Sequence, residues 1–230
     1  METISFCIPC HNRTYDLEKS MGYLIESANA SPPVEIMILD YNSPDYLADY
    51  IKQVLDSKSL NPENILSYCK YQGQNYYHMA HARNLSARAS SGSIITIMSS
   101  DICPQANFVS VIREQIKNYD CLLVNNYRGI LTCRKEEFMG AGGYDERFEF
   151  YGPEDKDLEL RLLRRGNRIG TLSSDLLSVI PTPNKEKAKN YRLPISKREM
   201  SQRMKPILEE NIRKRILVAN EGVSWGQGLE

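Results

Sequence analysis

The 230-residue sequence has no excess of charge of either sign and no long hydrophobic run. Lys and Arg number 29, and Asp and Glu also number 29, so no basic field favours nucleic acid as a partner. The apolar runs, such as Ile94–Met98, are far too short to cross a bilayer. The amino terminus has neither the basic segment nor the cleavage site of a signal peptide, so the sequence predicts a soluble, cytoplasmic protein.

Several enzyme classes lack their motifs in this sequence. It has no glycine-rich phosphate loop of the P-loop or dinucleotide type, which argues against an NTPase or a dehydrogenase. It has no G-x-S-x-G motif, and all three histidines precede residue 82, so a Ser-His-Asp hydrolase is poorly supported. Cys7 and Cys10 have redox or zinc spacing, but no second Cys-x-x-Cys pair could complete a zinc site. Buried thiols in a reducing compartment account for the six cysteines.

Short β-rich runs alternate with helical patterns through the first 125 residues. The predicted strands are Ile4–Pro9, Val34–Asp40, Ile65–Tyr71, Ser93–Met98 and Cys121–Asn125, and the predicted helices are Leu17–Ala30, Tyr46–Leu55, Ala80–Ser90 and Phe108–Lys117. Strands that are apolar on both faces and separated by helices indicate an α/β fold with a mainly parallel central sheet flanked by helices. Ligands of such sheets bind at the carboxyl ends of the strands.

The alternation is less regular after residue 125. The later predicted elements are strands over Gly129–Arg134 and Asp175–Ile180, a mobile charged connection over Lys185–Lys189, a basic helix over Ser196–Leu217 and a frayed tail over Gly222–Glu230. We therefore expect one domain over residues 1–183, divided into halves 1–125 and 126–183, and a C-terminal helical extension over 184–230.

One stripe of the predicted basic helix is apolar. Its members are Met200, Met204, Leu208, Ile212 and Ile216. Packing on the domain is the simplest explanation of this stripe. A peripheral membrane or protein contact is the alternative, and it would place the protein at the inner face of a membrane.

Residues 142–158, GGYDERFEFYGPEDKDL, combine acidic and aromatic side chains between a glycine pair and a helical pattern. Carboxylates accept hydrogen bonds from hydroxyl groups, and aromatic rings cover the C–H face of a sugar. The spacing of Leu158 and Leu162 predicts a helix from Glu154, with Gly166 at its C-cap. Glu154 and Asp155 then lie at a helix N-terminus, where the macrodipole favours the charged carboxylate. They are also ordinary first-turn residues, so the helix alone does not establish a site.

Three further residues are candidates for chemistry. Asp101 follows an apolar strand, where its carboxylate could hold a cation bound to phosphates or could cap the next helix. Asp40 ends a strand, where it could bond a base or ribose or could start a turn. Arg83 lies in a predicted helix, and its planar guanidinium suits a phosphate, an acid-lined pocket or plain solvent exposure.

Taken together, these segments resemble glycosyltransferases of the GT-A fold, in particular the family 2 enzymes. The matching segments are SFCIPCHNR, ILDYNSPD, AHARN, IMSSDI and GGYDERFEFYGPEDKDLELRL. The last of these also resembles the C-terminal module of galactosyl- and N-acetylgalactosaminyltransferases. The resemblance extends over residues 3–172.

The resemblance implies an inverting transfer of a sugar from a nucleotide-activated donor, expected to be a UDP-sugar, to a hydroxyl group of a glycan or glycolipid. It implies that Asp155 is the general base and that Asp101 binds Mn²⁺ or Mg²⁺ on the diphosphate. The implied donor-nucleotide residues are Pro9, Asn12, Arg13, Asp40, Arg83 and Ser100. The implied acceptor residues are Gly142, Gly143, Tyr151, Gly152 and Glu154.

The sequence departs from the family pattern at the metal site. The Asp-x-Asp motif is Ser99-Ser100-Asp101, which leaves one carboxylate, and no histidine follows His81. Metal affinity is therefore expected to be weak, or the metal dispensable. The same departure supports a second hypothesis, a GT-A domain that binds nucleotide sugars without catalysis as the partner of an active subunit.

Overall fold

The structure is a computed structural model that describes residues 1–193 and 195–229, and of residue 128 the backbone alone. The strands are β1 (Ile4–Cys10), β2 (Val34–Tyr41), β3 (Ile65–Tyr71), β4 (Ile94–Ile97), β5 (Ile102–Pro104), β6 (Cys121–Val124), β7 (Tyr127–Arg134), β8 (Ile169–Leu172) and β9 (Leu177–Val179). The helices are α1 (Thr14–Ala30), α2 (Leu47–Asp56), α3 (Met79–Ala89), α4 (Phe108–Gln115), α5 (Lys135–Gly140), α6 (Glu154–Arg164), α7 (Asn184–Ala188) and α8 (Lys197–Lys214).

The central sheet has the strand order β3-β2-β1-β4-β7-β6-β8. Its pairs β1–β2, β1–β4, β2–β3 and β6–β8 are parallel. Strand β7 runs antiparallel to both of its neighbours, β4 and β6. The carboxyl ends of β1, β2, β4 and β6 therefore reach the same edge of the sheet. Strands β5 and β9 form a separate antiparallel pair.

Helices cover both faces of the sheet. Every residue of β1 and β2 is buried, which requires apolar partners on both sides. Phe6 packs on one face with residues of α1 and α4, whereas Cys7 packs on the other face with residues of α3, α5, α6 and α8. The α/β prediction with a mainly parallel sheet is confirmed.

The short elements of the second half differ from the sequence predictions. The pattern does not predict β5, α5 or β8, because each is too short to show a period. The strand expected over Asp175–Ile180 is a 3-10 turn at Ser174–Leu176 followed by β9. Helix α1 begins at Thr14 rather than Leu17.

Two C-terminal predictions are wrong. The charged segment expected to be a mobile connection over Lys185–Lys189 is mostly helix α7, which is fixed on the domain by buried Ala188. The tail expected to be frayed packs against the domain. The backbone N–H of Gly226 donates to Glu146 at 2.8 Å, and Leu229 bridges to Tyr71.

Helix α8 packs part of its apolar stripe on the domain. Ser196 caps it through a capping box with Glu199. Met200 and Met204 are buried beside α6, whereas Ile212 is 41% exposed. The exposed part leaves a peripheral membrane or protein contact a prediction. Within the described ranges, no helix combines the length and apolar content that crossing a membrane requires.

Candidate active site

A cleft of about 820 Å³ opens at the carboxyl edge of the sheet, where the parallel topology predicts ligands to bind. Its lining comes from residues that end or follow β1, β4 and β6, and from α3, the start of α6 and the segment around α7. Of the sequence-predicted site residues, those that line it are Pro9, Arg13, Arg83, Ser100, Asp101, Tyr151 and Asp155. The remaining predicted residues lie outside its lining.

Asp155 is the acidic group at one end of the cleft. Its Oδ1 accepts a hydrogen bond from Nη1 of Arg83 at 2.8 Å and from the Tyr144 hydroxyl at 3.2 Å. The same Arg83 nitrogen lies 3.3 Å from Oε1 of Glu154. The Asp155 side chain is 20% exposed, whereas that of Glu154 is 1% exposed. Of this pair of carboxylates, Asp155 is therefore the one that can reach a ligand.

Burial changes the protonation of the two carboxylates. It raises the pKa of Glu154 to about 8, and the neighbouring charge of Asp155 adds to the effect. Burial also raises the pKa of Asp155, but Arg83 opposes that rise. We infer that Glu154 keeps the proton at neutral pH and Asp155 carries the charge. The raised pKa of Glu154 runs against the expectation that the helix N-terminus favours its charged form, because burial opposes the macrodipole.

Arg83 forms hydrogen bonds with both carboxylates. Its guanidinium is buried, with the aromatic ring of Tyr144 5.0 Å away. The acid-lined pocket, one of the three environments that the sequence left open, is the one found. The contact of Arg83 with the donor nucleotide remains a prediction.

A second group in the cleft lining, around Asp101, is cationic. Oδ2 of Asp101 accepts a hydrogen bond from Nζ of Lys187 at 2.5 Å and from Nη2 of Arg13 at 3.2 Å. Arg13 also bonds Asp16. Lys197 lines the same part of the cleft, with Nζ 4.3 Å from the centroid of the Tyr151 ring.

These side chains do not fit the predicted Mn²⁺ or Mg²⁺ on Asp101. Among the described residues, no three His, Cys, Asp or Glu side chains converge as metal ligands. Ser99 and Ser100 add no carboxylate, and two cationic side chains already bond Asp101. Two like unit charges about 4 Å apart repel by about 4 kcal/mol near a protein surface, so a divalent ion would have to displace Lys187 and Arg13. Nor does Asp101 cap a helix, since α4 begins at Phe108.

Asp40 is bonded within its own turn. Its Oδ1 accepts from the backbone N–H of Ser43 at 2.7 Å, and its Oδ2 accepts from the Tyr68 hydroxyl at 2.7 Å. This is the turn alternative that the sequence left open. Asn12, with φ of 53°, donates to Asn190 at 3.1 Å and so joins the β1 loop to the segment after α7. Nucleotide contacts of Asp40 and Asn12 remain predictions.

The predicted acceptor glycines shape the backbone outside the cleft. Gly142 and Gly143 have φ of 74° and 62°, which favour glycine. A Cβ on Gly142 would lie 2.1 Å from the carbonyl oxygen of Ala219, and one on Gly143 would lie 2.4 Å from Oδ1 of Asn84. Gly152 donates its N–H to Oε2 of Glu154 at 2.9 Å.

Several cleft residues lie outside the sequence-predicted set. They are His11, Tyr77, Lys187, Asn190, Tyr191 and Lys197. The ring of Tyr77 lies 6.2 Å from that of His11 and 5.9 Å from that of Tyr191, so these aromatics form one wall. Burial lowers the pKa of His11. The sequence shows that the segment around Lys187 is charged, but only the tertiary fold brings this segment to the cleft.

Comparisons with known proteins agree with this architecture. A sequence profile described as Glycosyl transferase family 2 matches residues 5–163. A search of curated proteins finds no match.

Three solved structures show the same fold as this chain. The mannosyltransferase PcManGT from Pyrobaculum calidifontis, solved with GDP-Man and Mn²⁺, has a TM-score of 0.66 at 14% identity, over 90% of this chain and 68% of that chain. S. aureus TarS 1-349 with UDP-GlcNAc has a TM-score of 0.63 at 14% identity, over 93% of this chain and 73% of that chain. The catalytic domain of Drosophila beta1,4galactosyltransferase 7 with xylobiose has a TM-score of 0.55 at 14% identity, over 88% of this chain and 80% of that chain. The likeness confirms the predicted GT-A fold.

Proposed function

This chain belongs to glycosyl transferase family 2, and from that membership we propose that it moves a sugar from a UDP-sugar to a hydroxyl group of a glycan or glycolipid, with inversion. The observation that supports the proposal most directly is the distribution of charge in the cleft. The carboxylate of Asp155, held by Arg83, and the cationic side chains of Arg13, Lys187 and Lys197 line the same cleft. PcManGT and TarS were solved with nucleoside diphosphate sugars, which supports this class of donor.

Asp155 is the proposed general base. The acceptor oxygen forms a bond to the anomeric carbon while the bond from that carbon to the diphosphate oxygen breaks, and the bonding electrons leave with the diphosphate. The carboxylate of Asp155 takes the acceptor proton. Arg83 and Tyr144 hold this carboxylate by two hydrogen bonds, so its orientation is fixed before the acceptor binds.

The remaining site residues have supporting roles in the proposal. Tyr151, 37% exposed at the cleft, offers its ring to a sugar. Glu154 accepts the N–H of Gly152 and so holds the loop, and its contact with the acceptor sugar remains a prediction. Pro9, Arg13 and Ser100 line the donor end, where the nucleotide would bind.

A second candidate function is nucleotide-sugar binding without catalysis, as the partner of an active subunit. The observation in its favour is the metal motif, in which Ser99 and Ser100 precede the single carboxylate of Asp101. The two candidates differ in one measurable respect, which is turnover of the donor.

A donor screen tests the proposal. The protein is incubated with UDP- and GDP-sugars and a mixture of glycan acceptors, and release of the nucleoside diphosphate is measured with and without Mn²⁺. We expect acceptor-dependent release, with the anomeric configuration of the product inverted by NMR. Binding of the donors without release would instead support the non-catalytic candidate, and a retained configuration would contradict the inverting mechanism.

A further inference from the structure

Two basic side chains bond the single carboxylate of the Ser99-Ser100-Asp101 motif, which stands where the family motif has a pair of carboxylates. Nζ of Lys187 and Nη2 of Arg13 both bond Oδ2 of Asp101, at 2.5 Å and 3.2 Å. The Lys187 side chain is 23% exposed and the Arg13 side chain 17% exposed, so both can meet a ligand in the cleft. Lys197 adds a third cation, and Asp16 adds a second carboxylate bonded to Arg13. The group therefore has one positive charge in excess.

The fold holds Lys187 in this place. Buried Ala188 anchors helix α7. Asn190, which follows the helix, accepts a hydrogen bond on its carbonyl oxygen from the N–H of Tyr77 at 2.6 Å and another on its side chain from Asn12. The segment is thus tied both to the loop after β1 and to the start of α3. Lys187 reaches the cleft as part of this packed segment.

We propose that Lys187, together with Arg13, supplies the positive charge on the donor diphosphate that a divalent metal ion supplies in other enzymes, so that this chain binds its donor without a metal. The inference rests on the proposed function. Asp101 holds the two cations in place before the donor arrives. Diphosphate oxygens then accept hydrogen bonds from the same ammonium and guanidinium groups.

The charge balance of the transfer step suits this arrangement. As the acceptor oxygen bonds the anomeric carbon and Asp155 takes its proton, the bond to the diphosphate oxygen breaks and that oxygen gains one negative charge. Lys187 and Arg13 both bond Asp101 and line the same cleft as Asp155, so in this proposal they meet the oxygen on which the charge develops. Fixed cations at that point stabilise the leaving group more in the transition state than in the bound donor.

Calorimetric titration of UDP and GDP in excess EDTA tests the inference. We expect one of them to bind the parent protein in EDTA, with a Kd that Mn²⁺ changes by less than about threefold. Lys187→Ala should weaken this binding by about 10- to 100-fold, since a charge-assisted hydrogen bond is lost. Lys187→Arg should restore most of it. Lys185→Ala, an exposed lysine on the same helix, is the matched control and should bind as the parent does.

A second variant covers the case in which Lys187→Ala fails to fold. Asp101→Asn removes the only acid of the Ser99-Ser100-Asp101 motif but frees positive charge for the diphosphate. It should still bind in EDTA, with a Kd within about tenfold of the parent, because the asparagine oxygen can still accept from one cation while the other is freed. A parent that binds only with Mn²⁺, or an Asp101→Asn variant that loses a Mn²⁺-dependent gain in affinity, would overturn the inference.

The two proposals fail in different ways. Transfer that requires Mn²⁺ would overturn the metal-free inference and leave the proposed function intact. Nucleotide binding in EDTA that is lost in Lys187→Ala, without transfer of any sugar, would support the inference and contradict the proposed transferase activity. Absence of nucleotide binding under both conditions would overturn both.

Discussion

At the scale of single residues, two adjacent carboxylates occupy different environments. Glu154 is buried and bonded to the backbone of Gly152, whereas Asp155 is partly exposed to the cleft. The sequence places both at a helix N-terminus, but it does not show how deeply each is buried. Burial raises the pKa of Glu154, whereas Asp155 keeps its contact with the cleft and is the proposed base.

The raised pKa of Glu154 predicts a specific dependence of stability on pH. Between the ordinary value of 4.5 and about 8, the folded protein holds a proton on Glu154 that the unfolded chain has lost. This contribution to the free energy of unfolding is complete below the lower value and falls as pH rises, by up to about 1.4 kcal/mol per pH unit. Glu154→Gln removes it, so the variant should gain stability relative to the parent from pH 5 to pH 8 in denaturant titrations.

Glu149→Gln is the control for this pH series. Glu149 lies in the same loop, and its side chain is 47% exposed. The difference in free energy of unfolding between this variant and the parent should stay constant from pH 5 to pH 8. A constant difference for Glu154→Gln as well would contradict the assignment of the proton to Glu154.

Arg83 offers a second test at this scale. Its side chain is 5% exposed and lies between Glu154 and Asp155. Arg83→Met would leave the charged Asp155 and the buried Glu154 without their shared cation, and removing one partner of a buried ion pair costs about 3–5 kcal/mol. The free energy of unfolding should fall accordingly, while Arg88→Met, on the exposed side of the same helix, should lose less than about 1 kcal/mol. Equal losses would contradict a buried ion pair.

At the scale of elements, the start of the acidic and aromatic loop is shaped by its packing partners. Gly143 packs against Asn84 of α3 and against the ring of Trp225 in the C-terminal tail. Asn84 in turn donates to the carbonyl oxygen of Tyr144 and accepts from its N–H. The glycine pair thus fixes the loop between α3 and the tail. The acceptor role that the sequence resemblance implies for this pair remains a prediction.

Two alanine substitutions separate backbone strain from steric clash. Gly143→Ala forces both, because φ is 62° and the added Cβ would lie 2.4 Å from Asn84. Gly166→Ala, with φ of 91° and nothing within 4 Å, forces strain alone. We expect a loss of about 1–2 kcal/mol for Gly166→Ala and about 1–3 kcal/mol more for Gly143→Ala. Similar melting temperatures of the two variants would contradict the packing described for Gly143.

The limits of sequence prediction also belong to the scale of elements. The long strands β1, β2 and β3 and the helix α6 follow from local periodicity and capping residues. Strand β8 and helix α5 do not, since their short lengths contain no full period. Helix α8 combines both cases. Its capping box is local, but the hydrogen bonds from Asn211 to Asp145 and Asp157 that hold it on the domain join residues far apart in the chain.

At the scale of the whole molecule, chain segments distant in sequence meet in one cleft. The alternation of strands and helices predicts the sheet, and the parallel sheet predicts the edge at which Asp101 and the β1 loop lie. Asp155 reaches the cleft because α6 starts beside that edge. Lys187 and Tyr191 line the cleft because the chain folds back onto the sheet edge after β9. No local sequence pattern predicts that contact.

The charge distribution of the cleft depends on this return. Without Lys187, the donor end would contain Arg13 and Lys197 against the carboxylates of Asp16 and Asp101. With it, the group proposed to bind the donor diphosphate is cationic, and it is distinct from the proposed base, Asp155. This division is the central claim, and it predicts that binding and catalysis can be separated by one substitution.

The most direct test compares donor binding with donor turnover in Asp155→Asn. We predict that the variant binds the UDP-sugar with a Kd within about threefold of the parent, because Asp155 bonds Arg83 and Tyr144 rather than the proposed diphosphate-binding cations Lys187 and Arg13. Transfer to the acceptor should fall by about 10²- to 10⁴-fold, since the proton acceptor is lost. Glu149→Gln, measured in parallel, should transfer at the parental rate. Full transfer by Asp155→Asn, or a loss of transfer that follows a loss of donor binding, would contradict the account.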